Sequence, residues 1–135
     1  MAKKIFINLP VADLQKALTF YKAVGFANNL QFTDETAACM VLSDEIYVML
    51  LTHPKFNEFT KKEIGDTART ASVIHTLSLD SNAEVNTMVG KAIDAGGIEP
   101  SEPRDYGFMQ SRSFEDLDGH LWGVNYMDLS KLPQQ

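Results

Sequence analysis

The sequence has little that could cross-link the chain, carry it across a membrane or bind it to nucleic acid. Its single cysteine, Cys39, excludes an internal disulfide. No apolar run approaches the ~20 residues that a membrane-spanning helix needs, and the short strand-like run after the two N-terminal lysines is not a secretory signal. The net charge of -6 argues against nucleic acid and anionic membranes as partners. These absences predict a cytoplasmic protein.

Sequence motifs for catalysis and phosphate binding are also absent. The chain has no glycine-rich phosphate loop, no serine–histidine–aspartate order and no stripe of basic and aromatic residues. The three histidines, His53, His75 and His120, lack carboxylates at ligand spacing, which is a poor indication of a metal site. Cys39 lies in an apolar stretch without an adjacent base and is interpreted as a packing residue.

The strongest local signal in the sequence is a β-hairpin near its C-terminal end. Asp118-Gly119 favours a tight turn, because glycine accepts the positive φ that such turns need. Strand-compatible residues precede this turn at 109–115, and an alternating segment follows it at 121–126. The second strand has Trp122, Val124 and Tyr126 on one face and Leu121, Gly123 and Asn125 on the other.

The first half of the chain predicts the element order β-α-β-β-β. An alternating strand at residues 5–11 leads to Asp13, a suitable N-cap, and then to a helix with one apolar face. Gly25 is expected to end this helix. Three strands are then predicted at residues 30–33, 37–42 and 46–51.

The second half predicts the same order. A strand at residues 73–79 is followed by Ser81 and Glu84, which fit a capping box, and by a helix that stops at Gly96-Gly97. Ile98 and Glu99 are expected to begin a short strand, and the hairpin completes the unit. The repeated order predicts one α+β domain over residues 1–135, with eight strands and two main helices. Its parts are module one at 3–52, a linker or lid at 53–71 and module two at 72–128.

The segment between the modules is either a plain linker or a lid, since long loops in compact domains often bind ligands. Its charge, its glycine and its lack of a sustained apolar period predict that it is the most mobile internal segment and that it lies near the cleft.

Two segments carry a resemblance to a known group of proteins. The run Leu9-Pro10-Val11-Ala12-Asp13 and the hairpin Asp116-Leu117-Asp118-Gly119-His120-Leu121-Trp122 resemble the vicinal oxygen chelate superfamily, which holds glyoxalase I, extradiol dioxygenases and bleomycin-resistance proteins. Leu117 stands where that hairpin motif usually has proline. The resemblance covers nearly the whole chain and implies two βαβββ modules that curl into half-barrels and form a cleft. It also implies a homodimer, because short relatives often complete their clefts by pairing.

Where such proteins hold a metal, the resemblance implies four ligands, one from the first and one from the last strand of each module. Counting from the helix caps and the turn glycine, as in the family, gives Phe6, Ile74, Gly123 and either Val48 or Met49. None of these side chains can bind a hard or borderline divalent ion. The expectation is therefore that the protein uses no metal and no other cofactor, with zinc, nickel or iron as the alternative.

His75 is the one histidine close to a predicted metal position. It shares strand parity with Leu77 and Leu79, which directs it toward the second helix rather than the cleft. If Asn82 instead of Ser81 were the helix cap, the count would shift by one residue and His75 would occupy the metal position.

Other candidates are polar or aromatic residues in the strands. Asn8 and Asn125 lie on the predicted cleft face, where an amide needs a partner, either a ligand, each other or the backbone. Arg112 could pair with a ligand carboxylate or phosphate, or equally with Glu115 or another acid. Tyr47 is either a wall of the cleft or a core residue. The predicted ligand-binding residues are Phe6, Asn8, Tyr47, Met49, Ile74, Arg112, Gly123 and Asn125.

Three functions are compatible with this sequence. The favoured one is a metal-free member of the superfamily that binds a small, partly apolar organic molecule, as antibiotic-sequestering relatives do. The alternative is a metal-dependent lyase or isomerase like glyoxalase I, in which a metal polarises a carbonyl and a carboxylate moves the proton. Gly123 counts against it, because the family's glutamate is both ligand and base. A third is a dimeric module acting on another protein, for which no exposed apolar stripe is evident.

Overall fold

The computed structural model describes residues 2–132, and within that range it has eight β-strands and three α-helices. The chain divides into two compact units, with the boundary between Thr70 and Ala71. The elements of the first unit are β1 Ile5–Val11, α1 Leu14–Val24, β2 Ala27–Asn29, β3 Ala37–Val41, β4 Ile46–Thr52 and α2 His53–Phe56. Those of the second are β5 Ile74–Ser78, α3 Asn82–Asp94, β6 Arg104–Asp105, β7 Met109–Glu115 and β8 Leu121–Met127.

Each unit contains one four-stranded mixed sheet. The strand order is β1-β4-β3-β2 in the first sheet and β5-β8-β7-β6 in the second. In both sheets the first strand runs parallel to the last, and the other neighbours are antiparallel. This confirms the predicted α+β class and the two βαβββ modules. None of the helices in residues 2–132 is long and apolar enough to span a membrane.

Local capping sets the limits of α1, as predicted. Asp13 accepts a hydrogen bond from the backbone N–H of Lys16 at 3.1 Å, and Gly25 ends the helix with a φ of 130°. On β1 the alternation buries Leu9 and Val11 and leaves Phe6 exposed, because one face of the strand meets the core of the unit.

The second strand of the first unit is not where the sequence pattern predicted it. The prediction was 30–33, but β2 ends at Asn29 and Leu30–Phe32 form a turn of 3₁₀ helix. The side chain of Asn29 accepts from the N–H of Gln31 at 3.0 Å, and the Thr33 hydroxyl donates to the carbonyl of Asn29 at 2.8 Å. These local bonds replace ladder bonds after Asn29, so the apolar alternation of the turn does not make a strand.

The helix of the second unit begins at the predicted cap. The Ser81 hydroxyl accepts from the N–H of Glu84 at 3.1 Å, and Val85, Val89 and Ala92 are buried along one helix face. The Glu84 carboxylate accepts from the N–H of Asp80 at 2.9 Å, so this capping box reaches one residue further back than the usual motif.

The predicted strand at Ile98 and Glu99 is reduced to a single bridge between Ile98 and Glu115. Pro100 and Pro103 have no N–H to donate, so the ladder cannot continue from this point. Pairing resumes only in the short strand β6, which places Arg104 opposite Ser111.

The C-terminal hairpin is confirmed, but its turn is wider than a two-residue loop. Glu115 pairs with Leu121, and the intervening residues turn around the Asp116 carboxylate, which accepts from the N–H groups of Asp118 and His120, both at 2.9 Å. Gly119 has a φ of 87°, the conformation for which glycine was predicted at this position.

Candidate functional site

In each sheet, strand alternation separates the core side chains from an opposite face that carries most of the predicted site residues. In the first unit we call this the Phe6 face, formed by Phe6, Asn8, Tyr47 and Met49. In the second unit we call it the Gly123 face, formed by Ile74, Thr76, Ser78, Ser111, Ser113, Gly123 and Asn125.

The Phe6 face presents a stacked aromatic pair. Phe6 lies opposite Tyr47, with ring centroids 4.4 Å apart and an interplanar angle of 12°. The ammonium group of Lys4 lies 5.6 Å from the centroid of the Tyr47 ring, and the Tyr47 hydroxyl donates to the carbonyl of Asp44 at 2.9 Å. These contacts fix the orientation of Tyr47, while Phe6 as a residue remains 51% exposed.

Asn8, next on the same face, is exposed and lies opposite Met49. Its side-chain N–H donates to the carbonyl of Phe6 at 3.5 Å. Of the partners that the sequence left open for Asn8, the structure therefore shows the backbone.

The Gly123 face is built from small polar residues around one buried glycine. Strand β8 lies between β5 and β7, which puts Gly123 between Thr76 and Ser113. A Cβ atom on Gly123 would lie only 2.8 Å from Oγ1 of Thr76. The sequence pattern does not distinguish these strand hydroxyls, because the partner of each strand residue is set by pairing with a distant segment.

Asn125 is in the next row of this face, opposite Ser78 on one side and Ser111 on the other. Its side-chain oxygen Oδ1 is buried and has no hydrogen-bond partner among residues 2–132. Such an oxygen is uncommon, because buried polar groups are nearly always paired.

The strand registers decide between Val48 and Met49 as the fourth metal position. Phe6 lies opposite Tyr47, and Met49 is two residues further along β4 on the same face. In the second unit Ile74 lies opposite Leu121, and Gly123 is likewise two residues further along β8. The pair Phe6 and Met49 is thus equivalent to the pair Ile74 and Gly123, whereas Val48 is buried on the core face.

The chemistry of these four positions does not fit a divalent metal ion. Phenyl, alkyl and hydrogen groups offer no lone pairs, and the thioether of Met49 suits only soft ions. Within residues 2–132, no three histidine, cysteine, aspartate or glutamate side chains are grouped in a way that could hold a metal.

His75 does not lie on the Gly123 face. Ser81 is the cap of α3, so the shifted count that required Asn82 does not apply. His75 lies opposite Trp122 on the core face, with ring centroids 5.0 Å apart, and its Nε2 is buried without a hydrogen-bond partner in the described residues. Burial and, second, the neighbouring His120 lower the pKa of His75, which favours the neutral imidazole.

Arg112 is held by an acid on the core side of the second sheet. It lies opposite Val124, and its guanidinium donates to both carboxylate oxygens of Glu99 at 2.9 Å and to Oδ1 of Asn86 on α3 at 3.0 Å. The ion pair is mostly buried and raises the pKa of Arg112. Of the alternatives left open by the sequence, the structure shows pairing with an acid, so Arg112 is not part of the site proposed below.

The buried Cys39 has a raised thiol pKa because of its burial, which fits a packing residue rather than a nucleophile.

No family model matches the chain, and no match was found among curated proteins. Solved structures do match. A hypothetical protein from S. aureus is 29% identical, with a TM-score of 0.76 over 93% of this chain and 95% of that one. A glyoxalase/bleomycin resistance protein/dioxygenase family enzyme from Burkholderia phytofirmans PsJN is 16% identical, with a TM-score of 0.75 over 93% and 99% of the two chains. An antibiotic binding protein from Streptomyces sp. CB03234 is 18% identical, with a TM-score of 0.65 over 94% and 97%.

At these identities, the glyoxalase-type structures and the antibiotic binding protein share the fold with this chain. The two βαβββ units and the hairpin around Gly119 agree with the superfamily resemblance that the sequence predicted. The chain therefore has the same fold as these glyoxalase/bleomycin resistance/dioxygenase-type structures.

Proposed function

We propose that this protein binds a small, flat, partly apolar organic molecule without using a metal ion. The observation that carries the proposal is the chemistry of four equivalent strand positions, Phe6, Met49, Ile74 and Gly123. They lack metal donors, and the first of them is half of an exposed aromatic stack.

The aromatic stack supports a flat ligand for a physical reason. A phenylalanine that is 51% exposed leaves apolar area in contact with water, and a planar molecule covering Phe6 would remove that area. Stacked aromatic pairs are worth about 0.5–1.5 kcal/mol beyond the burial of area. Tyr47 is already held by Phe6, Lys4 and Asp44, so little ordering of this side chain is needed on binding.

The structural matches support binding as a function that this fold can perform. The Streptomyces protein of the same fold is named for antibiotic binding. We extend binding to this chain because of the Phe6 face. The proposal specifies the shape and the polarity of the ligand.

The test measures binding of 1-N-phenylnaphthylamine, an uncharged aromatic fluorophore that brightens in apolar sites. We expect saturable binding to the wild-type protein, weakened about tenfold in Phe6→Ala, since stacking and burial are both lost. The matched control is Phe32→Ala, which removes another exposed phenylalanine, 63% exposed against 51% for Phe6, from the turn after β2. Equal affinity of Phe6→Ala and Phe32→Ala would contradict the proposed site.

Metal analysis of the same preparation addresses the alternative function. We expect no stoichiometric zinc, nickel or iron in the purified protein. Stoichiometric metal together with lactoylglutathione-lyase activity would instead establish the metal-dependent enzyme.

We also propose that the protein acts as a cytoplasmic homodimer, as the resemblance to short superfamily members implies. Light scattering at micromolar concentration should give the mass of two chains, and the mass of one chain would contradict the dimer.

A further inference from the structure

The buried oxygen of Asn125 is the least explained polar atom on the Gly123 face. Its neighbours in the same row, Ser78 and Ser111, are set by the register of β5, β8 and β7. Nevertheless Oδ1 of Asn125 accepts no hydrogen bond from any residue between 2 and 132. A buried acceptor without a donor destabilises the folded protein, so this carboxamide is not explained by fold stability.

The surroundings of Asn125 indicate what kind of group would pair with it. The nearest rows on this face carry the hydroxyl groups of Thr76, Ser78, Ser111 and Ser113 and the bare backbone of Gly123. The hydroxyl groups and the glycine backbone are uncharged, and Arg104, opposite Ser111 in the row of Asn125, is cationic, so this row would repel a ligand ammonium.

We propose that Oδ1 of Asn125 accepts a hydrogen bond from a neutral N–H or O–H group of a small molecule bound on the Gly123 face. This inference rests on the proposed function and narrows it: the ligand class is a flat organic molecule that carries an uncharged donor, such as a primary amide or a hydroxyl. Asn125 is then a specificity-determining residue that selects ligands by this donor.

The test uses two naphthalene probes, one with a neutral donor and one with methyl groups in place of the donor hydrogens, and Asn125→Leu separates the effect of the donor from that of the methyl groups. 2-Naphthamide has an amide N–H, and N,N-dimethyl-2-naphthamide has none. We expect the wild-type protein to bind 2-naphthamide about five- to tenfold more tightly, which is the typical effect of one hydrogen bond in a buried site. In Asn125→Leu, which has a similar volume and no acceptor, the two probes should bind equally.

Asn82→Leu is the matched control, because it removes an exposed amide from the first turn of α3, in the same unit but outside the Gly123 face. We expect this variant to retain the preference for 2-naphthamide. If both probes bind the wild-type protein with equal affinity, the role of Asn125 is wrong while the proposed function stands. If neither probe binds, both are wrong.

Thermal unfolding provides a readout that does not depend on any ligand. Since Oδ1 has no partner among residues 2–132, Asn125→Leu should unfold at the same temperature as the wild-type protein or a higher one. A lower melting temperature, or failure of this variant to fold, would show that Asn125 serves the fold and would overturn the inference.

Discussion

Gly123 and Thr76 lie opposite each other on neighbouring strands, and the hydroxyl of Thr76 occupies the space that a side chain on Gly123 would need. The separation between Oγ1 of Thr76 and an ideal Cβ on Gly123 is 2.8 Å, which is shorter than real contacts of this kind. Threonine is branched at Cβ and has little rotamer freedom in a strand, so it cannot easily move away. The position where the superfamily's glutamate is expected is therefore closed to larger residues by its neighbour.

Gly123→Ala should lower the free energy of unfolding by about 1–3 kcal/mol, the usual cost of adding an atom to a packed site. Thr76→Ala combined with Gly123→Ala should recover most of this loss, because Oγ1 is then absent. Urea denaturation of the two single variants and the double variant measures the coupling. Additive effects of the two substitutions would show that the contact is not the cause.

Addition of zinc or nickel should not produce lactoylglutathione-lyase activity, since the four equivalent strand positions lack donors. His75→Ala should leave the affinity for 1-N-phenylnaphthylamine within about twofold, because His75 lies on the core face beside Trp122. A measured metal stoichiometry near one that is lost in His75→Ala would contradict both expectations.

The stability of the protein should fall in mild acid partly because of His75. Its pKa is lowered in the folded state, first by burial and second by His120, so the unfolded chain binds a proton there at a pH where the native protein does not. The free energy of unfolding should therefore decrease as the pH falls below about 6.5, the usual histidine value, toward the lowered native pKa. His75→Phe should reduce this dependence, as followed by urea denaturation between pH 5 and 8.

Glu99→Gln should destabilise the second unit by about 1–2 kcal/mol, because it leaves a mostly buried guanidinium without its charged partner. Arg112→Lys should also be destabilising, since an ammonium cannot reproduce the paired bonds to Glu99 and the bond to Asn86. Neither variant should change probe affinity by more than about twofold. A large loss of probe affinity with unchanged stability would indicate that Arg112 contacts the ligand.

Amide hydrogen exchange should be fast between Gly65 and Thr70. In this stretch the N–H groups of Arg69 and Thr70 donate to the carbonyl of Asp66 and close a single exposed turn. Strong protection of these amides in the ligand-free protein would contradict the expectation of a mobile segment.

Features fixed by neighbours along the chain were predictable from the sequence. Asp13 and Ser81 cap helices through bonds to residues three positions away, and Gly119 adopts the positive φ of its turn, so each is determined by a short segment. The periodicity of buried residues on β1 and α3 is equally local. Together with the repeated order of elements, these signals were sufficient to predict two βαβββ units.

Only the tertiary structure decided the features that depend on pairing between distant residues, namely side-chain partners and the positions of the short strands. Arg112 finds Glu99 thirteen positions away and Asn86 twenty-six positions away, and Gly123 meets Thr76 only through the register of β5 with β8. The short strands β2 and β6 likewise exist only because β3 and β7 offer them partners, which is why the sequence pattern misplaced them. By itself the sequence determined the fold and the lack of metal donors at the predicted positions. Which side chains share a face, and which polar atom is left unpaired, follows from strand register, a property that no single segment of the chain contains.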